Sequence, residues 1–130
     1  MERITWSTLA GRPFFRLDLS GFHRPADAMP HLANAKIPEK YQRPKHVLTL
    51  ADVSNSPFDP AVKEALRDVL QHNRPFVLAA ALLGVTGLQK VMYTALMRVT
   101  GRNSRIFSTE AEAIAWLESE AKADDEKASK

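Results

Sequence analysis

The chain predicts an α/β fold: a single domain with a mixed, mostly parallel β-sheet, an N-terminal β-hairpin and packed helices. Three observations predict it. The stretch Phe76 to Val85, FVLAAALLGV, is almost wholly apolar, which reads as a strand buried on both faces, as in a parallel sheet. Strand-like and helix-like patterns alternate in the order ββ(α)βαβαβα, the order that packs helices on a mostly parallel sheet. The first two strand segments are separated by the turn Ala10-Gly11-Arg12-Pro13, which reads as a hairpin. A length of 130 residues suits one domain with a real core and leaves no room for two.

The elements follow in order. Ile4-Thr5-Trp6 and Phe14 to Leu19 are the hairpin strands. In the second, Phe15, Leu17 and Leu19 share one face, and Arg16, Asp18 and Ser20 share the other; the polar face is expected to be the more solvated. Residues 21–45 carry Pro25, Pro30, Pro38 and Pro44, so they hold at most a short helix around 26–36. Tyr41 to Lys45 reads as an exposed, cationic connection. His46 to Val53 is the next strand, and Ser54-Asn55-Ser56-Pro57 a loop. Asp59-Pro60 starts a helix, with Asp as cap and Pro in the first turn. Val62, Ala65, Leu66, Val69 and Leu70 carry that helix to about residue 72. After Thr86-Gly87, the residues Leu88, Val91, Met92, Ala95, Leu96 and Val99 lie on one helical face, expected to be core. Gly101 stops that helix. Ser104 to Phe107 reads as a last short strand. Thr109 and Glu112 form a capping box before a final helix, expected to fray after Leu117. The domain is thus expected to span 1–117, with 118–130 a charged, disordered tail.

Composition narrows the function. There is no cysteine, which excludes a disulfide framework, a thiolate nucleophile and Cys-ligated metal. The net charge of +3 divides unevenly: residues 118–130 carry −2 and the rest +5. An excess of that size fits an ordinary mixed surface better than it fits an anionic partner. No arginine-rich or aromatic-interleaved basic block appears, so no nucleic acid is expected as partner. The N-terminus has no long apolar segment of the secretory kind, and no apolar run is long enough to span a bilayer. A cytoplasmic protein without a membrane span is the expectation. His23, His31, His46 and His72 fall in unrelated elements with no metal-ligand spacing. No GxSxG, P-loop or GxGxxG motif is present. The expectation is no enzyme, no catalytic residue, no metal and no cofactor.

The working edge is expected where strands end and helices begin. Asp52, Ser54, Ser56 and Asp59 would gather at one strand end, and Thr86, Gly87 and Lys90 at the next. Two readings stand side by side for both groups. They contact an anion or a protein partner where free N–H groups and a helix dipole converge, or they satisfy local backbone as Asx turns, Ser turns and a Thr86 cap. Tyr93 and Met97, with Lys90, lie outside the main apolar stripe of their helix. They form either an exposed apolar contact patch or a surface covered by a following segment.

Several motifs resemble the STAS-like proteins, more narrowly the bacterial SpoIIAA-like branch named for an anti-sigma-factor antagonist. They are Leu50-Ala51-Asp52-Val53-Ser54, Phe58-Asp59-Pro60, His72-Asn73-Arg74-Pro75, Gly84 to Lys90, Gly101-Arg102-Asn103 with Phe107, and Glu112 to Leu117. The resemblance covers roughly residues 10–117. It implies a small α/β fold with a four- or five-stranded sheet. In the classical antagonists a phosphorylated serine opens the helix after an Asp-x-Ser strand end. Pro60 and Ala61 stand there in this chain, without a hydroxyl, so the resemblance implies a module lacking that switch. The branch also resembles lipid-transfer domains of the CRAL–TRIO type. The expected function is a non-enzymatic protein-binding or regulatory module, self-association included; the alternative is a small carrier of an apolar or lipid-like molecule.

Overall fold

The computed structural model describes residues 3–55, 59–100 and 103–128. Its five strands stand in sequence order across one sheet: β1 (Ile4–Leu9), β2 (Arg12–Asp18), β3 (Val47–Asp52), β4 (Val77–Leu83) and β5 (Ser104–Phe107). β1 and β2 form the antiparallel hairpin, with Trp6 opposite Phe15. The pairs β2–β3, β3–β4 and β4–β5 are all parallel. The fold is therefore the mixed, mostly parallel sheet that the alternating pattern predicts.

Each step from one parallel strand to the next crosses over through a helix: α1 (Met29–Ala33), α2 (Pro60–Asn73) and α3 (Leu88–Thr100). Every crossover moves the same way along the sheet. With one handedness, all three then fall on the same face. Phe15, Leu17, Val53 and Ala80 meet Leu32, Leu66, Val69, Tyr93 and Leu96 there. Strand side chains alternate between faces, so Phe14, Leu48, Leu50, Ala79, Ala81 and Leu83 form a second core. That face is covered by α4 (Glu110–Ala128) through Ala113, Leu117 and Ala121, each 0% exposed.

The polar face of β2 is the more solvated one, as expected: Phe15, Leu17 and Leu19 are buried, whereas Arg16 stays 39% exposed and pairs with Glu110. Other expectations are corrected. Residues 118–128 are not a disordered tail, because α4 runs on to Ala128. Arg12 holds that extension, its Nη2 donating to Asp124 Oδ2 at 2.6 Å and to Asp125 Oδ1 at 2.8 Å. The short helix in 21–45 shrinks to α1 behind a 3-10 turn, Pro25–Ala28, as its prolines require. The irregular stretch still contributes core: Ala28, Leu32, Ala35 and Ile37 are buried. Asn73, buried at the end of α2, holds it in place. Its Oδ1 accepts from Ile37 N at 2.7 Å, and its Nδ2 donates to Ala35 O at 3.1 Å.

α3 is turned from its expected orientation. Leu96 is buried as expected, at 2%, but Val91 is 70% exposed and Met92 37%, whereas Tyr93 is 4%. Ala95 is exposed as well, and the side chains of Leu88 and Val99 lie outside those described. The cause is the floor beneath the helix, where β3 and β4 offer the small residues Thr49, Ala51 and Ala80 beside Leu82. A floor of small residues is met by the longer side chains Tyr93, Leu96 and Met97, which form an apolar stripe of their own at helical spacing.

Candidate functional site

The carboxyl ends of the parallel strands lie together. In register, Asp18 stands beside Asp52, and Asp52 beside Leu83. Asp52 and the Gly84 to Gly87 turn are thus at one end of the sheet, as expected. Ladder bonds continue past the strands, from Leu19 N to Asp52 O at 2.8 Å and from Gly21 N to Ser54 O at 2.9 Å.

Two identical turns close this end. Asp52 Oδ1 accepts from Ser54 N at 2.9 Å and from Ser54 Oγ at 2.6 Å. Asp18 Oδ1 accepts from Ser20 N at 2.9 Å and from Ser20 Oγ at 2.5 Å. The sequence carries the signal twice, as Asp18-Leu19-Ser20 and Asp52-Val53-Ser54, and only the second was recognisable from its strand pattern. Burial pushes the Asp18 carboxyl up, but the two Ser20 bonds and the charges of Arg3 and Arg16 outweigh it, and the net shift is downward. Both carboxylates therefore serve local backbone, which favours the turn reading for Asp52 and Ser54. Ser56 lies outside the described residues.

Gly84 fixes how β4 leaves the sheet. Its φ is +79°, and a Cβ there would sit 2.0 Å from Ser54 Oγ and 2.6 Å from Ser54 Cα. Glycine is required by both conformation and space. Asp59 caps α2 as expected, accepting from Val62 N at 2.8 Å. α3 begins at Leu88, so Gly87, not Thr86, directly precedes it, and Lys90 N donates to Gly87 O at 3.1 Å. Thr86 and Lys90 line a cleft of about 350 Å³ with Gly84, Val85, Ile106, Phe107 and Ser108. Asp52, Ser54 and Asp59 are not among its walls. The predicted edge residues thus share one end of the sheet without converging on one pocket.

A second concavity lies inside. Between the sheet and the helices α2 and α3 is a cavity of about 70 Å³. Its floor is Thr49, Ala51, Ala80 and Ser104; Leu66, Val69, Tyr93, Leu96 and Met97 are among its walls. The register explains the space. Phe15, Thr49, Ala80 and Ser104 form one row across four strands on this face, and three of the four are small. Tyr93 and Met97, considered from sequence as an exposed patch, instead face this cavity, and Tyr93 is buried. Burial pushes the Tyr93 phenol up to about 12. Sequence reasoning missed Thr49 and Ser104, since a lone hydroxyl in a strand carries no signal of what lies above it.

Among the described residues, no three His, Asp or Glu side chains gather to hold a metal, and no helix is long and apolar enough to cross a membrane. No protein-family description, curated protein or solved structure matches this chain.

Proposed function

We propose that this chain is a non-enzymatic, STAS-like binding module whose ligand is a small apolar molecule held between the sheet and α3. Of the readings that the sequence leaves open, the carrier is the one the apolar cavity supports. Its walls are aliphatic and aromatic side chains with few polar groups, the ordinary make-up of a small-molecule site. Where one water occupies about 10–15 Å³, its volume is room for roughly five to seven water-sized atoms. That size fits a small ring or short chain. A long acyl chain would need α3 to move outward.

The absence of a hydroxyl at Pro60 and Ala61 supports a module without the phosphorylation switch of the family it resembles. Asp59 already places a carboxylate on the positive end of the α2 dipole, so a phosphate added beside it would be repelled. A second reading, contact with a protein partner, is supported by Val91 and Met92 on the outer side of α3.

Toluene titrated into ¹⁵N-labelled protein tests the first reading. The amides of Thr49, Ala51, Ala80 and Tyr93 are expected to shift together and saturably. Ala80→Val, which narrows the cavity, is expected to weaken the effect. Shifts scattered over the surface, or none at saturating toluene, overturn the assignment.

A further inference from the structure

We infer that the ligand carries one neutral hydrogen-bonding group, as a small phenol or alcohol does, and that the Ser104 hydroxyl meets it. This rests on reading the cavity as a ligand site. Ser104 Oγ is buried and has no hydrogen-bond partner among the described residues. Ser104 also lines the cavity. Among the described residues the other two such atoms are Nε of Arg12 and Nε of Arg67, and neither residue borders the cavity.

A buried hydroxyl without a partner is costly, and folded proteins keep few of them. The register leaves this one without a neighbour of its own kind in the sheet. Ala80 stands beside Ser104 on β4, and a methyl group neither donates nor accepts. The cavity's other polar side chains, Thr49, Asn73 and Tyr93, do not pair with Ser104 Oγ, and the rest of its walls, Leu82, Leu96 and Met97 among them, are carbon. A molecule with an apolar body and one hydroxyl fits both features, filling the carbon-lined volume and pairing with Ser104. A charged ligand does not fit, since among the described residues no Asp, Glu, Lys, Arg or His borders the cavity to compensate it.

Toluene and phenol are near-isosteres that differ by a methyl against a hydroxyl. Their affinities are to be measured by amide shifts on the full chain, in the wild type, Ser104→Ala and Ser104→Thr. The phenol-to-toluene affinity ratio is expected to fall about tenfold in Ser104→Ala, the worth of one buried hydrogen bond. Ser104→Thr keeps the hydroxyl and is expected to keep the ratio. Without ligand, Ser104→Ala is expected to melt a few degrees higher, on the order of 4–8 °C, because it removes an unpaired buried group. If neither probe shifts the cavity amides of the wild type, the cavity reading itself fails. If both bind and Ser104→Ala leaves their ratio unchanged, the cavity reading stands and this inference is overturned. A Ser104→Ala protein that fails to fold, or melts lower, makes the hydroxyl structural and likewise overturns it.

Discussion

Gly84 and Tyr93 are single residues on which larger features turn. Gly84 combines a φ of +79° with backbone of Ser54 at 2.6 Å from where a Cβ would be. Gly84→Ala therefore meets both strain and overlap. The variant is expected to lose roughly 2–4 kcal/mol, measured by urea denaturation; a loss under about 0.5 kcal/mol would mean that the turn relaxes freely. Tyr93 links burial to pH. Its phenol rises from an ordinary 10.0 to about 12 because burial disfavours the phenolate. The folded state then holds this proton more tightly than the unfolded chain does. The stabilisation is complete below pH 10.0 and is lost as pH rises toward about 12. Melting curves between those limits are expected to fall more steeply for the wild type than for Tyr93→Phe, which has no proton to lose. Parallel slopes would place Tyr93 in water.

At the scale of elements, α3 separates what periodicity reveals from what it conceals. Its spacing announces a helix, and a helix is there, but the sequence offers two apolar stripes. Leu88, Val91, Met92, Ala95, Leu96 and Val99 are the broader one, and Tyr93, Leu96 and Met97 the longer-limbed one, with Leu96 common to both. Composition prefers the first, whereas packing over Thr49, Ala51 and Ala80 selects the second, and those three residues lie some 40 positions upstream or more in two cases. That information is tertiary. The same holds for α4, whose low apolar content after Leu117 reads as a frayed end until Arg12 is seen beneath Asp124 and Asp125. By contrast the hairpin, the Asp59 cap and the alternation of strands and helices are legible, because each depends on neighbours in sequence. The two stripes of α3 give opposite expectations. Leu96→Ala and Tyr93→Ala are each expected to cost about 2–5 kcal/mol, while Val91→Ser stays within about 0.5 kcal/mol. Chemical denaturation of the three variants checks this. A Val91→Ser loss equal to that of Leu96→Ala would return the helix to its composition-preferred orientation.

For the whole molecule, sequential strand order has a structural consequence. Three crossover helices share one face, so the other must be closed by the chain's last element alone. α4 is that element, and its final third decides how complete the closure is. Ala121 is fully buried, and Arg12, with its side chain 12% exposed, turns its guanidinium to Asp124 and Asp125. From composition, deleting 119–130 would be harmless, because the segment has few apolar side chains. The structure predicts otherwise. The deletion uncovers part of the second core and leaves a largely buried guanidinium without its carboxylates. The partners are themselves well solvated, with Asp125 62% exposed, so screening reduces the effect below that of a fully buried pair. A loss of roughly 1–3 kcal/mol remains, and Tm is expected to fall by more than about 5 °C. Arg12→Met separates the two contributions. In the full chain it leaves two exposed aspartates, which costs little beyond the lost pair. In the shortened chain it removes the stranded charge, and part of the lost Tm is expected to return. If the deletion leaves Tm unchanged in both backgrounds, the end of α4 contributes nothing to closing the sheet.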